Sequence, residues 1–221
     1  NLSNLNQIRD IDKLNNTITL ESGCILENIK KKLSKFNFEF PLSMGSKGSC
    51  QIGGNIATNA GGVNVIKYGT IRQNILGLEA ILPDGTLFSS LKKVKKNNTG
   101  LDLKHLLIGS EGILGIITAA TIKIFPLPKE KVVIWSSFER FKDVIDFYSL
   151  MLLQFNDTIT SFEFMNKESI EVLEKNHLKL ENLKKNEYYC LIEISNFQFL
   201  DIFFDFITSK IQLIKMKIDD L

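Results

Sequence analysis

Residues 41–62 read PLSMGSKGSCQIGGNIATNAGG and hold six of the chain's 14 glycines: Gly45, Gly48, Gly53, Gly54, Gly61 and Gly62. Glycine at this density weakens helices and strands. It is tolerated where a backbone must lie directly against a ligand with no Cβ in between. Small polar residues fill the gaps: Ser46, Ser49, Asn55, Thr58 and Asn59. Bare N–H groups, hydroxyls and amides in one run suit a phosphorylated, hydrogen-bonding cofactor. The plainer alternative is a glycine-rich surface loop. Against it stand the interleaved apolar residues Ile52, Ile56 and Ala57, which tie the run to a core.

On either side of this run the chain reads as a mixture of helices and strands. Upstream, Thr17-Ile18-Thr19-Leu20 is β-branched and strand-like. Ile25, Leu26, Ile29, Leu33 and Phe36 recur at helical spacing over about 25–36, with Lys30, Lys31, Lys32 and Lys35 on the remaining, solvated face. Downstream, residues 76–82 and 86–88 flank Pro83-Asp84-Gly85 as a hairpin. Asp102 is placed to N-cap a short helix through Leu107. GSEGILGIIT, residues 109–118, leads into a β-branched run to Phe125, and Pro126 and Pro128 mark a domain boundary. Beyond it the pattern is β-α-β-α-β-α. Strands are expected around 132–135, 161–164 and 188–194. Helices are expected over 141–153, 170–174 and 200–213, the first with Phe141, Val144, Ile145, Tyr148 and Leu152 on its apolar face. The aromatic residues Phe199, Phe203 and Phe206 read as core.

Composition excludes several classes. With 27 basic and 25 acidic residues the net charge is +2, so nothing favours nucleic acid or an anionic surface. No apolar run reaches the roughly 20 residues of a membrane span. The three cysteines, Cys24, Cys50 and Cys190, are widely spaced and odd in number, which fits a reducing compartment. His105 and His177 have no second ligand at a metal-binding spacing. The first ten residues have neither the basic nor the apolar region of a signal peptide, and the missing initiator Met suggests a start inside a longer protein.

Five stretches together resemble the flavoprotein family of vanillyl-alcohol oxidase, glycolate oxidase and the D-lactate dehydrogenases, and most strongly its D-2-hydroxyglutarate dehydrogenase branch. They are KGSCQIGGNIATNAGG (47–62), KYG (67–69), LGLEAILPDGT (76–86), NNTGLDLKHLLIGSEGILGIIT (97–118) and FEFM (162–165). The resemblance covers essentially the whole chain. It implies an α+β fold in which residues 1–128 are the second lobe of an FAD-binding domain and residues 129–221 part of an α+β cap over the substrate. It implies FAD contacts at Pro41, Gly45, Gly48, Ser49, Ile52, Gly53, Gly54, Asn55, Thr58, Asn59, Gly61 and Gly62. A second set falls at Glu111, Gly115, Ile116 and Ile117. Read on its own, Glu111 is equally a structural carboxylate for nearby N–H groups.

The implied reaction is hydride transfer from a D-2-hydroxy acid to FAD, with D-2-hydroxyglutarate favoured and D-lactate or glycolate next. An electron acceptor is the implied second partner, and the setting is cytoplasmic, or mitochondrial in a eukaryote. Two family features are not found in this sequence. One is a glycine-rich pyrophosphate loop. The other is a histidine-rich segment that supplies divalent-metal ligands and a proton acceptor. The expectation is therefore that this stretch alone has no catalytic residues, binds no metal, does not retain FAD, and exposes a sheet edge that favours a homodimer. A contrasting reading, from a different class, is a non-catalytic binding or scaffold protein that keeps the fold.

Overall fold

The computed structural model describes residues 2–176, 186–195, 205 and 217–220. The chain divides into two compact units, 1–127 and 128–221, and all 14 glycines fall in the first.

The first unit contains β1 (Ile8–Asp12), β2 (Thr17–Glu21), α1 (Leu26–Ser34), β3 (Phe38–Glu39), α2 (Ile52–Ala57), α3 (Val65–Tyr68), α4 (Ile71–Asn74), β4 (Ile75–Ile81), β5 (Leu87–Ser90), α5 (Lys104–Leu107), β6 (Ile116–Lys123) and β7 (Phe125–Pro126). Its main sheet has the order β1-β2-β6-β4-β5, and every neighbouring pair is antiparallel. Register explains the core. Ile18 lies opposite Ile122, Leu20 opposite Ala120, and Ala120 opposite Leu78, so alternate residues of three strands share one face. Leu26, Ile29 and Leu33 of α1 and Ile52 and Ile56 of α2 belong to the same buried cluster. Each such side chain contributes roughly 1.5–3 kcal/mol on full burial, and these five fix both helices to the sheet.

The hairpin forms as expected, with the Leu82 N–H donating to Thr86 O and the Asp84 carboxylate accepting from the Thr86 N–H. The lysines Lys31, Lys32 and Lys35 of the first helix are exposed. Asp102 does not cap α5. The N-cap position falls on Leu103 and receives no side-chain bond. The Asp102 carboxylate pairs instead with the Lys104 ammonium and lies 3.3 Å from His105 Nε2.

The second unit contains β8 (Lys131–Phe138), α6 (Phe141–Phe155), β9 (Ile159–Asn166), α7 (Lys167–Lys175), β10 (Tyr188–Ser195) and β11 (Lys217–Asp220). The antiparallel sheet runs β11-β8-β10-β9. The buried face of α6 is Val144, Phe147 and Met151, whereas Phe141 and Ile145 are exposed. This helix is apolar enough to carry two stripes, and the sequence pattern selected the neighbouring one. Phe147 packs on Phe138 and Phe162, ring centroids 5.4 and 6.2 Å apart. On the other sheet face Ile170 of α7 packs with Trp135 and Tyr189. Cys190 sits at the sheet centre, and burial pushes its thiol up to about 12. The expected helix over 200–213, His177 and the residues Phe199, Phe203 and Phe206 lie outside the described residues.

Candidate functional site

The site forms where the glycine-rich run meets the turn before β6. Residues 44–50 make a compact exposed turn. The Lys47 N–H donates to Met44 O at 3.2 Å, and the Ser49 and Cys50 N–H groups both donate to Ser46 O at 2.9 Å. Gly45, Gly48 and Ser49 are exposed in this turn. A Cβ on Gly45 would meet nothing within 4 Å, and one on Gly48 only the tip of Glu27 at 3.9 Å.

The short α2 follows, and its two faces differ. On the inner face the Ile52 N–H donates to Cys24 O and the Gly53 N–H to Ser22 O at 2.8 Å. Ile52 is fully buried, and a Cβ on Gly53 would come 2.5 Å from Ser22 Cβ. Expected as cofactor contacts, these two residues instead face the sheet, with both N–H groups bonded within the fold. The outer face carries Gly54 and Thr58, one turn apart and both exposed. A Cβ on Gly54 would meet nothing within 4 Å, and the Thr58 hydroxyl donates to Gly54 O at 3.0 Å.

Asn55 lies beside this face and is buried. Among the described residues its Nδ2 reaches only the Met44 sulfur, at 3.4 Å, and its Oδ1 has no partner. A buried amide oxygen without a donor costs about 1–3 kcal/mol.

The run ends by folding back on its start. The Asn64 amide donates to Pro41 O at 2.8 Å, and a Cβ on Gly62, with φ +152°, would lie 2.3 Å from Ser43 O. Pro41 is buried. Gly61 is half-buried, and a Cβ there would meet only the Val65 side chain, at 3.6 Å. Asn59 adopts φ +48°, and its Oδ1 accepts from the Arg72 N–H at 3.2 Å. Its oxygen thus serves the fold rather than standing free for a ligand.

The turn 109–115 docks directly on the C-terminal end of α2. The Gly109 N–H donates to Ile56 O at 3.1 Å and the Glu111 N–H to Ala57 O at 2.9 Å. Three glycines here have positive φ: Gly109, Gly112 and Gly115. A Cβ on Gly115 would come 2.9 Å from Ile81 O. Glu111, at φ +53°, is exposed. Its backbone holds the turn, while its carboxylate is in no hydrogen bond or ion pair among the described residues, so it is not a carboxylate clamp for N–H groups. Ile116 is exposed, and Ile117 is buried opposite Ala80 in the ladder, facing the core rather than a ligand.

The geometry thus brings Gly54, Asn55 and Thr58 to the same end of the unit as Glu111, Gly115 and Ile116. It turns Ile52, Gly53 and Ile117 away. Three contributors were missed from the sequence: Ser22, Met44 and Arg72. Arg72 had a signal nearby, since Gln73 of the same helix turn accepts the Thr70 N–H at 2.7 Å as a capping residue. No local pattern marks Ser22, whose role depends on register. Three His, Cys, Asp or Glu side chains do not converge anywhere among the described residues, so the groups described here do not fit a metal and no metal step is assigned to them. No helix among the described residues is long and apolar enough to cross a membrane.

Residues 1–90 match the FAD binding domain family. Mitochondrial D-2-hydroxyglutarate dehydrogenase of Rattus norvegicus is 38% identical over 192 residues, which is 86% of this chain and 36% of that protein. A mitochondrial Schizosaccharomyces pombe protein, provisionally named a D-lactate dehydrogenase, is 39% identical over 194 residues, 87% of this chain and 37% of that protein. The chain therefore spans little more than a third of the length of these relatives. Among solved structures, alkyldihydroxyacetonephosphate synthase matches with a TM-score of 0.77 at 19% identity, over 97% of this chain and 41% of that one, a likeness of fold. The chain thus carries a match to the FAD binding domain family over residues 1–90, is similar over about a third of their length to D-2-hydroxyglutarate dehydrogenases at 38–40% identity, and shares the fold of alkyldihydroxyacetonephosphate synthase.

Proposed function

We propose that residues 1–127 hold FAD in a dehydrogenase that oxidises a D-2-hydroxy acid, D-2-hydroxyglutarate first, to the 2-oxo acid. The observation that carries this reading is the outer face of α2. There Gly54 leaves the backbone open, Thr58 lines the same side, and the neighbouring Asn55 oxygen is buried without a donor. Bound FAD supplies the hydride acceptor, and the protein orients it.

The chain's own residues then have separate tasks. Gly45, Gly48 and Gly54 allow the backbone to approach the cofactor without a side chain between. Ser49 and Thr58 offer hydroxyls. Asn55 offers its Oδ1 to a donor on the cofactor. Gly109 and Glu111 hold the turn carrying Gly115 and Ile116 against α2. Residues 128–221 serve as part of the cap, and the relatives' mitochondrial setting is extended to this protein. A divalent metal, if used, takes its ligands from outside the groups described here, and an electron acceptor completes the turnover.

The S. pombe relative makes D-lactate the second reading. The test is reduction of the bound flavin by each acid in the full-length protein that carries this stretch, followed as bleaching at about 450 nm. Bleaching by D-2-hydroxyglutarate faster than by D-lactate or glycolate supports the first reading. Faster bleaching by D-lactate or glycolate moves the assignment to that acid. A protein that binds FAD but is reduced by none of the three is a binding or scaffold protein instead.

A further inference from the structure

We infer that Arg72 is the positioning residue that sets the spacing between the two cofactor-facing stretches, 54–62 and 109–116, and through that spacing the affinity for flavin. The inference rests on the FAD-binding reading above. Arg72 lies in α4, outside both stretches, yet it is bonded to the first and to two carbonyls just before the second. Its backbone N–H donates to Asn59 Oδ1 at 3.2 Å, at the end of the glycine-rich run. Its guanidinium donates to His105 O at 2.7 Å and to Ile108 O, at the end of α5.

Those carbonyls lie where a helix leaves its last acceptors unmet, and a cation there is favourable. The chain then turns at Gly109, φ +79°, whose N–H returns to Ile56 O in α2. The result is a closed circuit: α2, Asn59, Arg72, Ile108, Gly109 and back to α2. A methyl group on Gly109 would sit 3.0 Å from Arg72 Nη2 and 3.2 Å from Asn59 Cβ, so the circuit is closely packed. Among the described residues no carboxylate pairs with Arg72, which leaves the guanidinium committed to holding carbonyls. Lysine cannot reproduce this grip, because a single ammonium lacks the planar fork that reaches two acceptors at once.

The test is a titration of flavin-free protein with FAD, read by the flavin absorbance band, alongside thermal unfolding of the flavin-free form. Arg72→Lys and Arg72→Ala are expected to raise the Kd for FAD about tenfold or more. Millimolar guanidinium ion is expected to restore much of the affinity of Arg72→Ala while leaving the parent's unchanged. If the folded Arg72→Lys protein binds FAD as the parent does, the inference fails, even where its melting temperature has dropped. Should Arg72→Ala not fold, Arg72→Lys alone decides, with unchanged affinity overturning the inference and weakened affinity supporting it. The titration uses the full-length protein that carries this stretch, and a full-length parent that binds no FAD overturns the underlying reading before any variant is compared.

Discussion

Gly53 and Gly54 are neighbours in sequence and opposites in structure. Gly53 faces the sheet, where a methyl group would stand 2.5 Å from Ser22, while Gly54 faces outward with nothing within 4 Å. The same division runs through the whole glycine-rich region. Gly62 and Gly115 press against the backbone oxygens of Ser43 and Ile81, whereas Gly45 and Gly48 stand clear. A glycine pressed against other atoms is explained by packing. A glycine with open space beside it, in a helix that alanine would stabilise, is not explained by the fold. The inner set therefore builds the platform, and the outer set is left for whatever lies on it.

The largest effect should come from the inner set. Gly62→Ala places a methyl group 2.3 Å from Ser43 O at a φ that side chains avoid. Thermal or urea unfolding of the flavin-free protein should show a loss of about 4 kcal/mol. Gly53→Ala should lose less, about 1–3 kcal/mol, because Ser22 can move in part. If both substitutions leave stability unchanged, the division into inner and outer glycines is broken.

Asn55 sharpens the comparison from the other direction. Asn55→Leu removes a buried amide oxygen that has no donor, so flavin-free stability should hold or rise by about 1 kcal/mol. FAD affinity should fall in the same variant. Lower stability with unchanged affinity would make Asn55 a core residue and remove it from the site.

The smallest effect concerns the far edge of the turn-bearing segment. The Lys104 ammonium holds the Asp102 carboxyl below its ordinary value, with His105 and Lys92 adding to the effect. Its folded pKa is thus below the unfolded one, so its stabilising contribution is present above about pH 4 and is lost as pH falls through the folded pKa. The Asp102 carboxylate is exposed to solvent, so the contribution stays under about 1 kcal/mol. Asp102→Asn should flatten the acid limb of the stability profile slightly and leave the neutral range nearly unchanged. A large loss at neutral pH would show that Asp102 holds the segment in place after all.

Much of this was legible beforehand. The strands around Thr17–Leu20 and the hairpin at Pro83-Asp84-Gly85 follow from local pattern and turn chemistry, and tertiary packing did not override them. The glycine-rich run was conspicuous by composition. Composition could not tell Gly53 from Gly54, because which face of α2 turns inward depends on the distant Ser22 and on sheet register. Arg72 was hidden for a similar reason, since its acceptors lie more than 30 residues away. In α6 the apolar stripe was misplaced because Phe141 and Ile145 match helical spacing as well as the residues that are buried.

The central claim is that the outer face of α2 exists for the cofactor and not for the fold. Gly54→Val in the full-length protein that carries this stretch tests it most directly, by comparing flavin-free melting and FAD affinity in the same variant. The account predicts melting close to the parent's, together with an FAD Kd raised roughly 30- to 1000-fold, equivalent to about 2–4 kcal/mol. A variant that melts far below its parent, or one that binds FAD as tightly, would contradict it.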